Sequence, residues 1–161
     1  MAARSENRVL DRTDRKILDI LQRDGRISMT ELAEQVSLSA TPCSERVRRL
    51  EREHVITGYH ARVAPGAVGR TLLVFVEIKL SAKSDDLFEQ TRRELIHMPE
   101  LMECHLVSGS FDYLLKFRIK GMEQYRQLLG GILKRLPVSA QSNSYVVMEE
   151  LKEDTYLVVD P

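Results

Sequence analysis

The chain has 161 residues, 24 Lys+Arg against 24 Asp+Glu, a formal net charge of zero and 43% hydrophobic residues. That size suits one domain or two small ones with ordinary cores, and the balanced charge and two cysteines exclude a polyelectrolyte and a disulfide scaffold. No apolar run reaches the length of a membrane span and the first residues lack the apolar core of a signal peptide, so no membrane partner and a reducing cytoplasm are expected.

Residues 1–9 read as a flexible N-terminus, after which Asp11 and Asp14 sit where the positive end of a helix dipole favours carboxylates. Ile17, Leu18, Ile20 and Leu21 give this first helix its apolar side, and Gly25 ends it. Ser28-Met29-Thr30-Glu31 has the Ser-x-x-Glu spacing in which hydroxyl and carboxylate each satisfy a free backbone amide, predicting a second helix with Leu32, Ala33 and Val36 inward. Ser39 or Thr41 can cap a third helix, with Pro42 tolerated in its first turn. At 100° per residue Cys43, Val47, Leu50 and His54 form an apolar stripe, while Thr41, Glu45, Arg48, Arg49 and Arg52 point away. Short helix, tight turn and longer basic helix is the helix-turn-helix order, in which the later helix enters a DNA major groove. A merely solvated helix face is the plainer reading, weakened by the two helices upstream. Val55 to Val63 reads as a short hairpin or wing. Residues 1–65 hold 12 Lys+Arg against 10 Asp+Glu and residues 66–161 hold 12 against 14, so single copies would make few phosphate contacts and paired copies are expected.

The helix-turn-helix domain is placed at residues 10–63, a Pro/Gly-containing linker at 64–70 and a second domain at 71–161. Beyond the linker the period changes to two. Leu72 to Leu80 alternates as a strand, and Ser84-Asp85-Asp86 caps a helix. Leu101 to Val107 and Asp112 to Ile119 are strands joined by a Ser108-Gly109-Ser110-Phe111 turn. A helix opens at Gly121 and Met122 and stops at Pro137, Ser144 to Leu151 is a fourth strand, and Tyr156 to Val159 a fifth short one. The order strand, helix, strand, strand, helix, strand makes the second domain ferredoxin-like and the whole chain α+β. Such a sheet has helices on one face only; both faces carry apolar side chains, so a second copy is expected to cover the open one.

Catalysis finds little footing. His54, His60, His97 and His105 lie in different elements, Glu149 and Glu150 point to opposite sides of a strand, and Cys43 and Cys104 have no ligand-spaced partners. No enzyme activity, metal or cofactor is expected. The Gly109-Ser110-Phe111-Asp112 turn is ordinary hairpin chemistry or, in its functional reading, an amino-acid site: turn amides for a carboxylate and Asp112 for an ammonium.

Six runs resemble the bacterial Lrp/AsnC (feast/famine) transcription regulators: Leu10 to Leu18, Gly25 to Ser28, Thr41 to Glu51, Glu103 to Gly109, Phe111 to Leu115 and Tyr145 to Glu150. The resemblance covers nearly the whole chain after residue 9. It implies a winged helix-turn-helix followed by a RAM domain that pairs into dimers, dimers that assemble into octamers or related rings, and an amino acid such as leucine bound between RAM units. Effector positions implied by matching motifs are Leu106, Gly109, Asp112, Met122, Tyr145, Val146 and Val147. The DNA-facing set is Ser39, Thr41, Ser44, Glu45, Arg46, Arg48, Arg49 and Arg52, with Arg46 and Arg52 mainly neutralising phosphates. The chain departs from the family pattern at Ser110, where an acidic residue is common, and at Val138-Ser139-Ala140, where a glycine is common. The expected function is a nucleoid-associated, amino-acid-responsive regulator of transcription. Two other readings stand beside it: a metabolite sensor that regulates an enzyme by contact, and a nonspecific DNA-compacting protein.

Overall fold

The computed structural model describes residues 9–160. The expected flexible segment 1–9 lies outside the described residues except for Val9, which is exposed. The helices are α1 (Arg12–Arg23), α2 (Met29–Gln35), α3 (Ala40–Arg52), α4 (Asp85–Leu95) and α5 (Met122–Arg135), and the strands β1 (Leu72–Leu80), β2 (Leu101–Leu106), β3 (Tyr113–Ile119) and β4 (Ala140–Val146). Two compact units result. One runs to Ala61 and is rejoined by the segment from Lys152; the other is Arg62–Leu151. The two units meet in the chain between Ala61 and Arg62, beside the expected linker at 64–70; Pro65–Val68 is a single 3-10 turn within the second unit, and residues 152–160 belong with the first.

Capping chemistry sets the helices of the first unit. Asp11 and Asp14 form a reciprocal capping box on α1, the Asp14 amide donating to Asp11 Oδ1 at 2.7 Å. Ser28 and Glu31 do the same for α2, and the Ser28 contacts hold the Glu31 carboxyl below the usual range. Ser28→Ala is expected to cost about 1 kcal/mol, seen as a lower thermal midpoint with the Ser28→Thr variant close to wild type. Between α2 and α3 the chain turns sharply through Ser37 at φ 58°. Ile17, Leu32, Cys43, Val47 and Leu50 close the core of the three helices. His54 does not join this stripe: α3 stops at Arg52, and His54 is exposed at φ 55° beyond the helix end. The hairpin expected over 55–63 contains no strand; within the segment the Tyr59 hydroxyl donates to Glu51 at 3.0 Å.

In the second unit the sheet order is β2-β3-β1-β4, every neighbouring pair antiparallel. Val74, Val76, Ile78 and Leu80 from β1 and Tyr113, Leu115, Phe117 and Ile119 from β3 fill the face under the helices. Ser84 caps α4 as expected, accepting from the Leu87 amide at 3.3 Å. The fourth strand begins at Ala140 and ends at Val146 rather than spanning 144–151, because β1 begins at Leu72 and offers nothing to pair with beyond Val147, whose amide reaches the Leu73 carbonyl. The expected fifth strand at 156–159 is absent from the ladder. The face away from the helices is less apolar than expected: beside Phe75, Leu114 and Tyr145 it carries the Lys116–Glu103 and Arg118–Glu150 ion pairs.

Candidate nucleic-acid interface and ligand positions

Burial of Cys43, Val47 and Leu50 orients α3 and leaves Thr41, Glu45, Arg48 and Arg52 on its exposed side. Their spacing of four, three and four residues aligns them in one stripe. Ser39 occupies the N-cap position, yet its side chain makes no capping bond, and it is exposed at the head of that stripe; Ser44 is half-buried beside it. The stripe thus offers hydroxyls, one carboxylate and two guanidinium groups, the donors and acceptors that base edges and phosphates require.

Arg46 and Arg49 are placed otherwise. Asp14, 3% exposed, sits between them: its Oδ1 lies 2.8 Å from Arg46 and its Oδ2 2.6 Å from Arg49. Arg46 also meets Asp11 at 2.6 Å. The Asp14 amide bond and the Arg46 pair together hold the Asp11 carboxyl below its usual range. Arg46 and Arg49, both expected to face DNA, are paired with α1 carboxylates in the free chain, because positions 46 and 49 flank the buried stripe rather than oppose it. The same carboxylates cap α1 and clamp α3 against it.

The seven positions expected to meet the effector fall into two groups. Leu106 pairs with Tyr113 at one end of the sheet, where Gly109, at φ 151°, and Asp112 complete the turn. Tyr145 and Val146 pair with Phe75 and Val74 at the other end, with Val147 next to Leu73 and Met122 at the start of α5, which follows β3 from that end. Four residue steps along the strands and three strands across separate Leu106 from Val146, a diagonal of roughly 20 Å. Leu106, Met122, Tyr145 and Val146 are exposed and Val147 is half-buried.

Asp112 is the exception, at 4% exposure. One carboxylate oxygen accepts from the Leu80 amide at 2.8 Å and the other meets the Lys83 ammonium at 2.6 Å. Asp112 is expected from the sequence to receive a ligand ammonium; in the free chain the ammonium it holds is that of Lys83, and the residue ties the turn to the end of β1. Burial alone would raise the Asp112 carboxyl, but Lys83 and the Leu80 amide outweigh it and hold it below the usual carboxylate range. With the folded value depressed, its stabilisation is full above the unfolded pKa and is lost as pH falls through the folded one. The expected result is a urea midpoint that declines below about pH 4 in the wild type and declines less in Asp112→Asn, followed by circular dichroism.

Among the described residues no group of three or more His, Cys, Asp or Glu side chains is placed to hold a metal, and no helix is long and apolar enough to cross a membrane. Cys43 is buried, Cys104 is half-buried, and burial pushes both thiols up, away from nucleophilic chemistry.

Comparison with known proteins agrees with this division of labour. Residues 10–57 match the family described as winged helix-turn-helix DNA-binding, and residues 73–157 match the Lrp/AsnC ligand binding domain. The chain is 54% identical over 150 residues to the leucine-responsive regulatory protein of Escherichia coli (strain K12), covering 93% of this chain and 92% of that protein. Among solved structures, a Neisseria meningitidis transcriptional regulator in complex with L-Met superposes with a TM-score of 0.88 at 31% identity, covering 94% of this chain and 98% of that one. An AsnC family transcriptional regulator from Agrobacterium tumefaciens gives 0.87 at 32% identity, covering 92% and 96%. A groove-sized basic helix on a three-helix core, a ferredoxin-like sheet later in the chain and relatives matched across nearly their full lengths make this chain a member of the Lrp/AsnC family of transcription regulators.

Proposed function

We propose that this protein is an amino-acid-responsive transcription regulator whose effector is leucine and whose effector sites form between copies of the chain. The observation that carries the intersubunit reading is the roughly 20 Å separation of Leu106, Gly109 and Asp112 from Met122 and Tyr145 to Val147. One amino acid cannot touch both groups in a single copy. Two copies placed end against end bring one group from each to the same molecule, and leucine then stabilises the assembly in which they meet. The exposed side chains of Leu106, Met122, Tyr145 and Val146 supply apolar walls, and the turn at Gly109 supplies backbone amides to the effector carboxylate. A leucine-responsive relative and a neighbour solved with L-Met support an aliphatic amino acid as the effector class. The protein works in the cytoplasm, on the nucleoid, as dimers that build octamers or similar rings.

On the DNA side, Ser39, Thr41, Ser44, Glu45, Arg48 and Arg52 contact the duplex, while Arg46 and Arg49 keep α3 in place. Effector and operator are then linked because assembly decides how many recognition helices meet one stretch of DNA; a coupling of about 1–3 kcal/mol suffices. The test is complementation. Leu106→Arg and Met122→Arg each damage one half-site, so each alone loses leucine binding by calorimetry. Mixed oligomers recover intact sites, about one in four for random mixing. Mixed oligomers of normal size that bind no leucine would overturn the intersubunit site.

A further inference from the structure

The chain passes between the two compact units twice, near Ala61 and again near Leu151. The second passage ends in a strap laid along α1. Gln22 grips Leu157 from both sides: its Nε2 donates to the Leu157 carbonyl at 3.0 Å and its Oε1 accepts from the Leu157 amide at 2.7 Å. The Tyr156 hydroxyl donates to Asp19 and accepts from Arg23 at 3.0 Å, with the Arg23 guanidinium 4.8 Å over the ring. Arg15 donates to the Asp160 carbonyl at 2.9 Å. Arg15, Asp19 and Gln22 stand at i, i+4 and i+7, so one stripe of α1 is given over to the strap.

The attachment is mainly polar: Leu157 and Val158 are both more than 70% exposed, and Tyr156 and Val159 are only partly buried. Bonds of that kind, individually worth little and open to water, belong to the part of a protein that opens first. Upstream the chain is held firmly. Glu150 makes two bonds to the buried Arg118, at 2.8 and 2.5 Å, directly after the Tyr145 to Val147 segment. Six residue steps from Glu150 to Tyr156 span at most about 20 Å, which limits how far the anchor can shift before the strap follows. The first passage leaves from β1, whose Leu73 carbonyl accepts from Val147, so both connections depart from adjacent strands at one end of the sheet.

We propose that residues 150–160 are a second tether that carries the state of the Tyr145 to Val147 segment to α1 and, through Asp14, to the recognition helix, with Glu150, Tyr156 and Gln22 as its positioning residues. This rests on the effector positions proposed above. Effector seated against Tyr145 to Val147 moves the Glu150 anchor, the strap tightens on or leaves α1, and the Asp14 clamp on Arg46 and Arg49 shifts with α1.

The experiment uses the full chain in three forms: wild type, Glu150→Gln, and the double variant Gln22→Ala with Tyr156→Phe. Without leucine, hydrogen exchange is read at the Leu157 amide and along α1. Releasing the distant anchor in Glu150→Gln is expected to speed Leu157 exchange by about fivefold or more. In the double variant, operator affinity without leucine stays within about threefold of wild type and leucine binding by calorimetry is unchanged. Its leucine-induced change in operator affinity falls to about one-fifth or less. Unaltered Leu157 exchange in Glu150→Gln overturns the tether, and so does a full leucine response in the double variant. A lost response that tracks an altered oligomer size in sedimentation also overturns it, in favour of a role in assembly. If wild type binds no leucine, the effector reading fails, and the exchange measurement alone decides the tether.

Discussion

Asp14→Ala is expected to destabilise the DNA-binding unit by about 3 kcal/mol and to abolish operator binding, although it removes a negative charge beside the helix proposed to meet DNA. The carboxylate is buried and makes three kinds of contact at once: it closes the α1 capping box, pairs with Arg46 at 2.8 Å and pairs with Arg49 at 2.6 Å. Removing it takes the carboxylate partner from the half-buried Arg49 and leaves Arg46 with Asp11 alone. The loss of one partner from such a set costs far more than the pair contributes, because the remaining charges have already left water. Asp14→Asn keeps an acceptor oxygen for one arginine while turning an amide donor toward the other, and is expected to fall between wild type and Ala. The measurement is hydrogen exchange of α1 and α3 amides alongside operator titration. Unchanged exchange with tighter DNA binding would show that Asp14 is only a surface charge opposing phosphate.

The elements legible in the sequence are those in which a local signal and the tertiary packing agree. Ser28 and Glu31, Ser84 at α4, and the apolar period of Leu72 to Leu80 predict structure that packing then accepts. What stayed hidden needs a partner remote in the chain. Arg46 and Arg49 lie one residue before Val47 and Leu50, on the border of the buried stripe, and only the presence of Asp14 on another helix turns them inward. Ala140 to Ser144 is a polar run of low strand propensity, so the apolar residues after it drew the predicted strand downstream; pairing of Ala140 with Leu80 fixes the true register. Tyr156 to Val159 has strand-like composition, but its partners are side chains of α1. The separation of the ligand positions into two groups follows from the strand order β2-β3-β1-β4, which no local motif encodes.

The proposed separation of the arginines into two roles has a measurable consequence at the operator. Arg48 and Arg52 stand on the exposed stripe of α3 with Thr41 and Glu45, whereas Arg46 and Arg49 are held by Asp11 and Asp14. Replacing both Arg48 and Arg52 by Ala removes four cations from a bound dimer. Operator affinity is expected to fall by about 100-fold or more, and each phosphate left without its arginine lowers the slope of log affinity against log salt by about 0.9. The thermal midpoint stays near that of wild type, since neither side chain supports the core. Arg49→Ala should behave in the opposite way: the midpoint drops, because Asp14 loses a partner, and the salt slope of the protein that remains folded is preserved. Glu45→Gln separates base reading from charge. A carboxylate accepting from a cytosine amino group discriminates by roughly 1–3 kcal/mol, so the variant is expected to change the preferred base at one position rather than to strengthen binding uniformly. Fluorescence anisotropy across a salt series, on one operator fragment and on point-substituted copies of it, reads all three effects. If Arg49→Ala reduces the salt slope as much as Arg48→Ala does, the clamp opens on DNA and the two arginines share one role.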